Sequence, residues 1–461
     1  MQNRAIGFFL VLLTLLLTLA LSSCARGERA LEGSDIVIGN WFMNYDVDTF
    51  QPANDLEVRT LVHRRRILNE HGFRMGYRNI SSWGEMLQTA IMSTMAGSPA
   101  ASAFLLQPSW AMTLHRQNLI APMPDGFDFS PKTLGDGRVD WNQNVRNLFT
   151  FDDNTYALSV GYGGSLQASV VFFNKRLFRE AGLDPQLPFN MQRDGTWTWD
   201  SFLSLAIQLT RDTDNDGIMD TWAMPMDFSS AILDAVIASN GANFVDRNPA
   251  TGMFVNATDR PEFLEALQFI MRLRDEGVMK PSQPGSHWTW FQSAFIDGQV
   301  AMLIDPLFRK NDLRGMTDDW GMVMVPRGPR ADNFVVYTFE HVIVIPSTFS
   351  QAEVANIVTA IDLWNRPVDE TLYGWQDAYW HVFRDARSVT ETMAILRDPN
   401  LVTWKYYIMI PGLSLGDIAW EMWGHDGDPA QLIEAVSLAW NSLIADVNAD
   451  LAAAVLRNQN E

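Results

Sequence analysis

The sequence predicts an α/β protein built on largely parallel sheets, with a second domain interleaved with the first along the chain. Three observations carry that expectation. Strand and helix patterns alternate through most of the chain. Its 461 residues exceed what one core of about 150 residues usually organises. No internal repeat, low-complexity stretch or long Gly/Ser linker separates one half from the other. With 47% hydrophobic, 19% charged and 11% aromatic residues, the chain can bury a large core and is not a disordered one.

The first element is an export segment. Arg4 precedes sixteen uncharged residues, 6–21, and the tetrapeptide Leu21-Ser22-Ser23-Cys24 follows. A positive start before a short apolar run is the secretory pattern, and the run is short for a span of about 20 residues. The tetrapeptide resembles the bacterial lipobox, in which the cysteine is acylated after cleavage in front of it. The expectation is therefore a signal peptide over 1–23, a lipidated Cys24 and a polar tether over 24–34. A transmembrane anchor that ends in cysteine is the alternative reading.

DIVIGNW, from Asp35 to Trp41, reads as a strand. Residues 82–97 then carry Trp83, Met86, Leu87, Ala90, Ile91, Thr94 and Met95 on one helical face, with Ser82 placed to cap and Gly97 to end the helix. AFLLQP, YALSV and SVVFFN read as further strands, followed by a helix capped near Thr198, another over PEFLEALQFIMRLRDEG, and the strands VAMLID and HVIVIP. The last hundred residues read as mainly helical.

Composition excludes several functions. One cysteine cannot form a disulfide scaffold or a multi-thiolate zinc site. Clustered cations recruit nucleic acid, whereas here 5 Lys and 29 Arg face 54 acidic residues, for a net charge of -20. The seven His have no HExxH or HxH spacing, and no GxSxG elbow is present. GYGGSL, from Gly161 to Leu166, lacks the ending a phosphate loop needs.

The segment DTDNDGIMD sets Asp212, Asp214, Asp216, Ile218 and Asp220 at positions 1, 3, 5, 7 and 9 of a calcium-loop template, with Gly217 at 6. Position 12 is Ala223 instead of glutamate. Two readings stay open: a bound calcium, or an Asx-type turn whose carboxylates accept local backbone N–H groups.

Aromatic usage is the strongest chemical pointer. Seventeen Trp outnumber nine Tyr, and Trp41, Trp110, Trp288, Trp290, Trp375, Trp380 and Trp404 lie beside turn or polar residues. An indole face matches the C–H face of a sugar ring, with neighbouring polar groups bonding the hydroxyls. Trp83, Trp199 and Trp440 fall in helical patterns and are expected to pack.

From Asp35 onward the chain resembles a family 1 extracellular solute-binding protein, the lipoprotein receptor of a carbohydrate ABC importer, similar to maltodextrin-binding proteins. VVFFNKRLFREAGLD resembles the family's YYNKDLFKEAGLD, GTWTWDSF its TWDEF helix, FIDGQVAM its FxxGKxAM, and DWGMVMVPRGP its DWGVAPLPKGP, in that order. The resemblance implies a two-lobed periplasmic-binding-protein-like fold of type II, with a hinge and an interlobe ligand cleft. Lobe 1 would take 35–160 and 304–338, and lobe 2 would take 161–303 and 339–461. It further implies ligand contacts from Trp41, Ser109, Trp110, Tyr162, Ser165, Gln167, Asp227, Phe228, Trp288, Asp305, Phe308, Glu340, Trp380 and Arg384. YWHVFRDA resembles the FWYAVRTA helix of maltodextrin-binding proteins, which sets Arg384 one turn after Trp380.

The expected function is a non-enzymatic receptor, lipid-anchored outside the bacterial cytoplasm, that captures an oligosaccharide and delivers it to permease subunits by lobe closure. It would act as a monomer, without nucleic acid and without a cofactor unless calcium binds. A polysaccharide-active surface enzyme and a receptor for a non-sugar solute are the alternatives.

Overall fold

The structure, a computed structural model, describes residues 31–131, 137–151, 153–161, 167–226, 231–368, 375–416, 418, 419, 422 and 428–458. Cys24 and the export segment lie outside them. Among the described residues no helix is long and apolar enough to cross a membrane. The chain forms two compact units. The first holds residues through Leu106, Leu114–Val160 and His341–Leu372, and the second holds Gln107–Thr113, Gly161–Glu340 and Tyr373–Glu461.

In the first unit, strand Asp35–Asn40 lies parallel to both Arg74–Asn79 and Ala103–Leu106, and Val342–Val344 adds antiparallel to the latter. Alternation explains the orientation of the central strand: Ile36 and Ile38 point into the core at 6% and 0% exposure. Helix Asp55–His71 is capped by Asn54, whose side chain accepts from the Glu57 N–H, and ends at Gly72 in the left-handed region at φ 68°. Helix Gln351–Asn365 has a Ser350/Glu353 capping box and buries Val354, Ile357, Ile361 and Trp364 in the same core as Ile38 and Met75.

The helix expected from Ser82 begins instead at Met86. The Ser82 hydroxyl is spent on the Glu85 carboxylate at 2.9 Å, so it does not cap, although Gly97 takes its left-handed conformation as expected. Trp83 falls outside the helix and is 58% exposed, and Met95 is 71% exposed, so neither is a core residue.

The second unit centres on Ser169–Asn174, a strand buried at every position and flanked antiparallel by Met302–Pro306 and Trp320–Met324. Its sheet is thus antiparallel where parallel strands were expected. The same pairing corrects the lobe boundaries. Met302 faces Phe173 and Pro306 faces Ser169, so residues 304–338 stay with the second unit. Residues 341–372 belong to the first unit, through the pairing of Val342 with Leu106 and the helix that follows. Gly321 is required beside that central strand: a Cβ there would meet the Phe173 ring at 2.4 Å.

Helix Trp199–Leu209 starts where the sequence places it, on a Thr198/Ser201 capping box, and Trp199 stacks on Phe269 at 4.4 Å. Trp199 and Trp440 are 6% and 4% exposed, in line with packing roles. The C-terminal region is less helical than its pattern suggests. Strand Val402–Trp404 pairs with Val336–Thr338, short 3-10 turns surround it, and a long helix occupies only Pro429–Asn458.

Candidate functional site

In the first unit, three parallel strands end on one edge of the sheet, and open α/β sheets recruit ligands beyond the carboxyl ends of their strands. Trp41 and Phe42 leave the first strand at that edge, and Trp83 follows the second. The antiparallel strand begins opposite Leu106, which brings His341 to the same edge. Three rings meet there. Trp41 and His341 are 4.9 Å apart and nearly perpendicular, Trp41 and Phe42 are 5.1 Å apart, and Phe42 and His341 are 5.9 Å apart. Burial lowers the His341 imidazole to about 4, so at neutral pH it is an uncharged donor and acceptor.

Asn40 holds this turn. Fully buried, its Nδ2 donates to the carbonyls of Met43 at 3.0 Å and Arg78 at 3.1 Å, while its Oδ1 accepts from the N–H groups of Phe42 at 2.9 Å and Met43 at 2.7 Å. Asn79 adds a bond to the Trp41 carbonyl at 3.1 Å. Asn40→Ala should cost about 2–3 kcal/mol, because it strands buried donors and acceptors together. Urea denaturation checks this, and a midpoint equal to the wild type would show that the turn does not depend on Asn40.

Ser109 and Trp110 stand half-buried on helix Pro108–Arg116, directly after the third parallel strand. Gln167, also half-buried, precedes Ser169–Asn174. Tyr162, Ser165, Asp227 and Phe228 lie outside the described residues. Trp288 and Trp380 present 71% and 44% of their surface to solvent, as a stacking platform requires. By contrast, Trp404 is buried, Trp290 packs against the core, and Trp375 packs there with the Arg397 guanidinium 5.0 Å above its ring.

Two expected contacts are engaged elsewhere. Asp305 is 3% exposed and its Oδ2 lies 3.4 Å from Arg309 Nε, an ion pair within the protein; the same guanidinium covers the half-buried Phe308 ring at 4.7 Å. Arg384 does not follow Trp380 on a helix, since residues 379–385 form turns and bends. Its guanidinium donates to the carbonyls of Arg314 at 3.2 Å and Asp318 at 2.9 Å, and to those of Met316 and Thr317. It fixes that loop rather than meeting hydroxyls. Glu340, the last residue of the second unit before the chain crosses, is partly exposed, and burial raises its carboxyl to about 8.

In the acidic loop, Asp212, Asp214 and Asp216 each bring one carboxylate oxygen within 4.8 Å of the others, a set that could hold a cation. The loop also bonds to itself, although Asp212 Oδ1 is buried without a hydrogen-bond partner. Asp212 accepts from the Gly217 N–H at 2.8 Å, Asp216 from Ile218 at 2.8 Å, and Asp220 from the Thr213 N–H at 2.7 Å. Thr213 holds the Asp220 carboxyl below its usual range. The Asp216 bond is that of an Asx-type turn, whereas the Asp212 and Asp220 bonds tie together residues five and seven positions apart, and Asp220 is not in the carboxylate set that could hold a cation.

The sequence alone missed Phe42, His341 and Trp83. Phe42 and His341 lie at strand ends that only the pairing brings together, and Trp83 had been absorbed into a helical period.

The family model of the bacterial extracellular solute-binding protein matches residues 77–347, more than half of the chain. No curated protein matches the sequence. Among solved structures, the chain is similar to UgpB from Mycobacterium tuberculosis in complex with glycerophosphocholine, with a TM-score of 0.62 and 14% identity over 89% of this chain and 98% of that one. It is also similar to the GacH receptor of Streptomyces glaucescens GLA.O, solved unliganded and with acarbose, at 0.60 and 14% over 89% and 99%. The ABC substrate-binding protein Lmo0181 from Listeria monocytogenes, in complex with cycloalternan, gives 0.58 and 16% over 91% and 99%. At these identities the likeness shows the fold, the two-lobed α/β architecture of type II periplasmic binding proteins.

Proposed function

Because the chain belongs to the bacterial extracellular solute-binding protein family, we propose that it is the receptor of an ABC importer, held to the membrane through Cys24, and that its solute is a carbohydrate of oligosaccharide size. Family membership makes it an extracytoplasmic binding protein. The sugar, the anchor, capture by lobe closure and delivery to permease subunits are the proposal.

The observation that carries it is the ring cluster of Trp41, Phe42 and His341 at the carboxyl edge of the parallel sheet, with Phe42 51% exposed. Exposed rings on a rigid edge provide flat apolar area at small entropic cost, which suits a sugar ring better than a compact ion. Several structural neighbours carry saccharides, which adds support from outside the chain. A polysaccharide-cleaving enzyme would need a free pair of carboxyl groups. Asp305, one of the acids available to that reading, is committed to Arg309.

The full-length chain in detergent, titrated with mono-, oligo- and uronate saccharides under tryptophan fluorescence, tests the reading. One oligosaccharide class should saturate, and Trp41→Ala should weaken it by about 10- to 100-fold. Silence toward every saccharide, with saturation by glycerophosphocholine, would move the receptor to a non-sugar solute. Incorporation of labelled palmitate, lost in Cys24→Ser, tests the anchor.

A further inference from the structure

Among the described residues three lysines are buried, and two of them have carboxylate partners. Lys175 lies 3.2 Å from Asp319 and 2.5 Å from Asp385, and Lys405 lies 2.8 Å from Asp234. Lys310 is 6% exposed and has no hydrogen bond or ion pair. It sits on the 3-10 segment Leu307–Gly315, where Leu307, Lys310 and Leu313 are the buried residues. At three residues per turn these share one face, and both leucines belong to the core of the second unit. The Lys310 stem therefore lies on the stripe of the two core leucines, and its ammonium has no counter-charge.

Its surroundings are positive as well. The neighbouring charge that acts on Lys310 is that of Arg314, an exposed residue likewise without an ion pair, and burial brings the Lys310 amine down to about 8. The Arg384 guanidinium bonds the Arg314 carbonyl and those just beyond it, which leaves its charge unneutralised. The acids of this stretch are committed to other partners: Asp312 to Arg309 at 3.5 Å, Asp318 to Arg176 at 2.9 Å and Asp319 to Lys175. In a chain of net charge -20, a buried amine and a neighbouring guanidinium that both lack a carboxylate are a place where an anion lowers the free energy.

We propose that Lys310 and Arg314 form an anion-binding site in the second unit, which takes the phosphate or carboxylate group of a small solute. The site stands apart from the carbohydrate reading and does not rest on it. Lys310 supplies a compact, desolvated point charge, and Arg314 supplies a planar donor at the solvent side.

Calorimetric titration of the full-length chain in low-salt buffer with inorganic phosphate, glycerol 3-phosphate and glucuronate tests it. Saturable uptake is expected for at least one of them. Lys310→Met, which keeps the apolar stem, should weaken it about 30-fold or more, and Lys310→Arg should retain it. Arg314→Gln, an exposed change that leaves the fold intact, should weaken it several-fold. Tighter binding of glycerol 3-phosphate than of phosphate would assign the site to a solute-borne group, and equal binding would assign it to the free ion. No saturable uptake of any probe, or uptake that Lys310→Met and Arg314→Gln leave unchanged, would overturn the proposal.

Discussion

Lys405→Met should lower the stability of the second unit by about 3–5 kcal/mol, the usual cost of leaving one half of a buried ion pair without the other. Lys405 Nζ lies 2.8 Å from Asp234 Oδ2, and the Tyr407 hydroxyl donates to the same oxygen at 2.8 Å. Both charged residues are 4% exposed, and Asp234 sits on helix Ala231–Ser239, which is buried along its whole length. With the amine removed, the buried Asp234 carboxyl would keep a single donor, the Tyr407 hydroxyl, in an apolar surround. Burial and the Asp234 charge already hold the Tyr407 hydroxyl well above its ordinary value, so that donor cannot substitute for a cation. The double change Lys405→Met with Asp234→Leu should recover most of the loss, since a well-packed apolar pair is often as stable as the ion pair it replaces. Urea denaturation of the two variants decides the matter. A loss below about 1 kcal/mol for the single change would mean that water reaches Asp234.

This pair also marks where sequence reading stops. Lys405 and Asp234 are 171 positions apart and no local pattern links them. Their pairing exists because Lys405 directly follows Val402–Trp404, which runs beside Val336–Thr338, and its own N–H bonds the Thr338 carbonyl at 2.9 Å. What was legible was local. SVVFFN announced a strand buried on both faces, Thr198 announced a helix start, and both stand where they were expected. Strand direction was not legible, because a short apolar run carries no sign of its partner's polarity. The placing of residues 304–338 in the first lobe came from the resemblance, and only the pairing of Met302–Pro306 with Ser169–Asn174 sets them in the second unit. The site divided along the same line. Trp41 could be found from a strand that ends in an aromatic residue, whereas Arg384 could not be separated by residue type from a ligand-binding arginine. Its engagement with four backbone carbonyls is a fact of tertiary structure alone.

Glu340→Gln should stabilise the protein at pH 8–9 and leave it unchanged near pH 4. Burial holds the folded carboxyl at about 8, against an ordinary 4.5. Below 4.5 the group is protonated in both states and contributes nothing. As pH rises toward 8 the unfolded chain loses the proton that the fold retains, so stability falls across that window, by up to about 4 kcal/mol, and then levels off. His341 has the opposite slope. With its folded value at about 4 against 6.5, the unfolded chain takes up a proton first, and stability falls as pH drops through that interval. Glutamine carries the uncharged, hydrogen-bonding shape of the protonated acid, so Glu340→Gln should abolish the alkaline loss and preserve the acid one. If Glu340 bonds solute in its protonated form, wild-type affinity should decline above pH 8 while that of the variant stays level. Urea denaturation and solute titration across pH 4–9 read both effects. An alkaline stability loss that persists in Glu340→Gln would mean that another group carries it, and an affinity profile identical in the two proteins would remove Glu340 from the solute site.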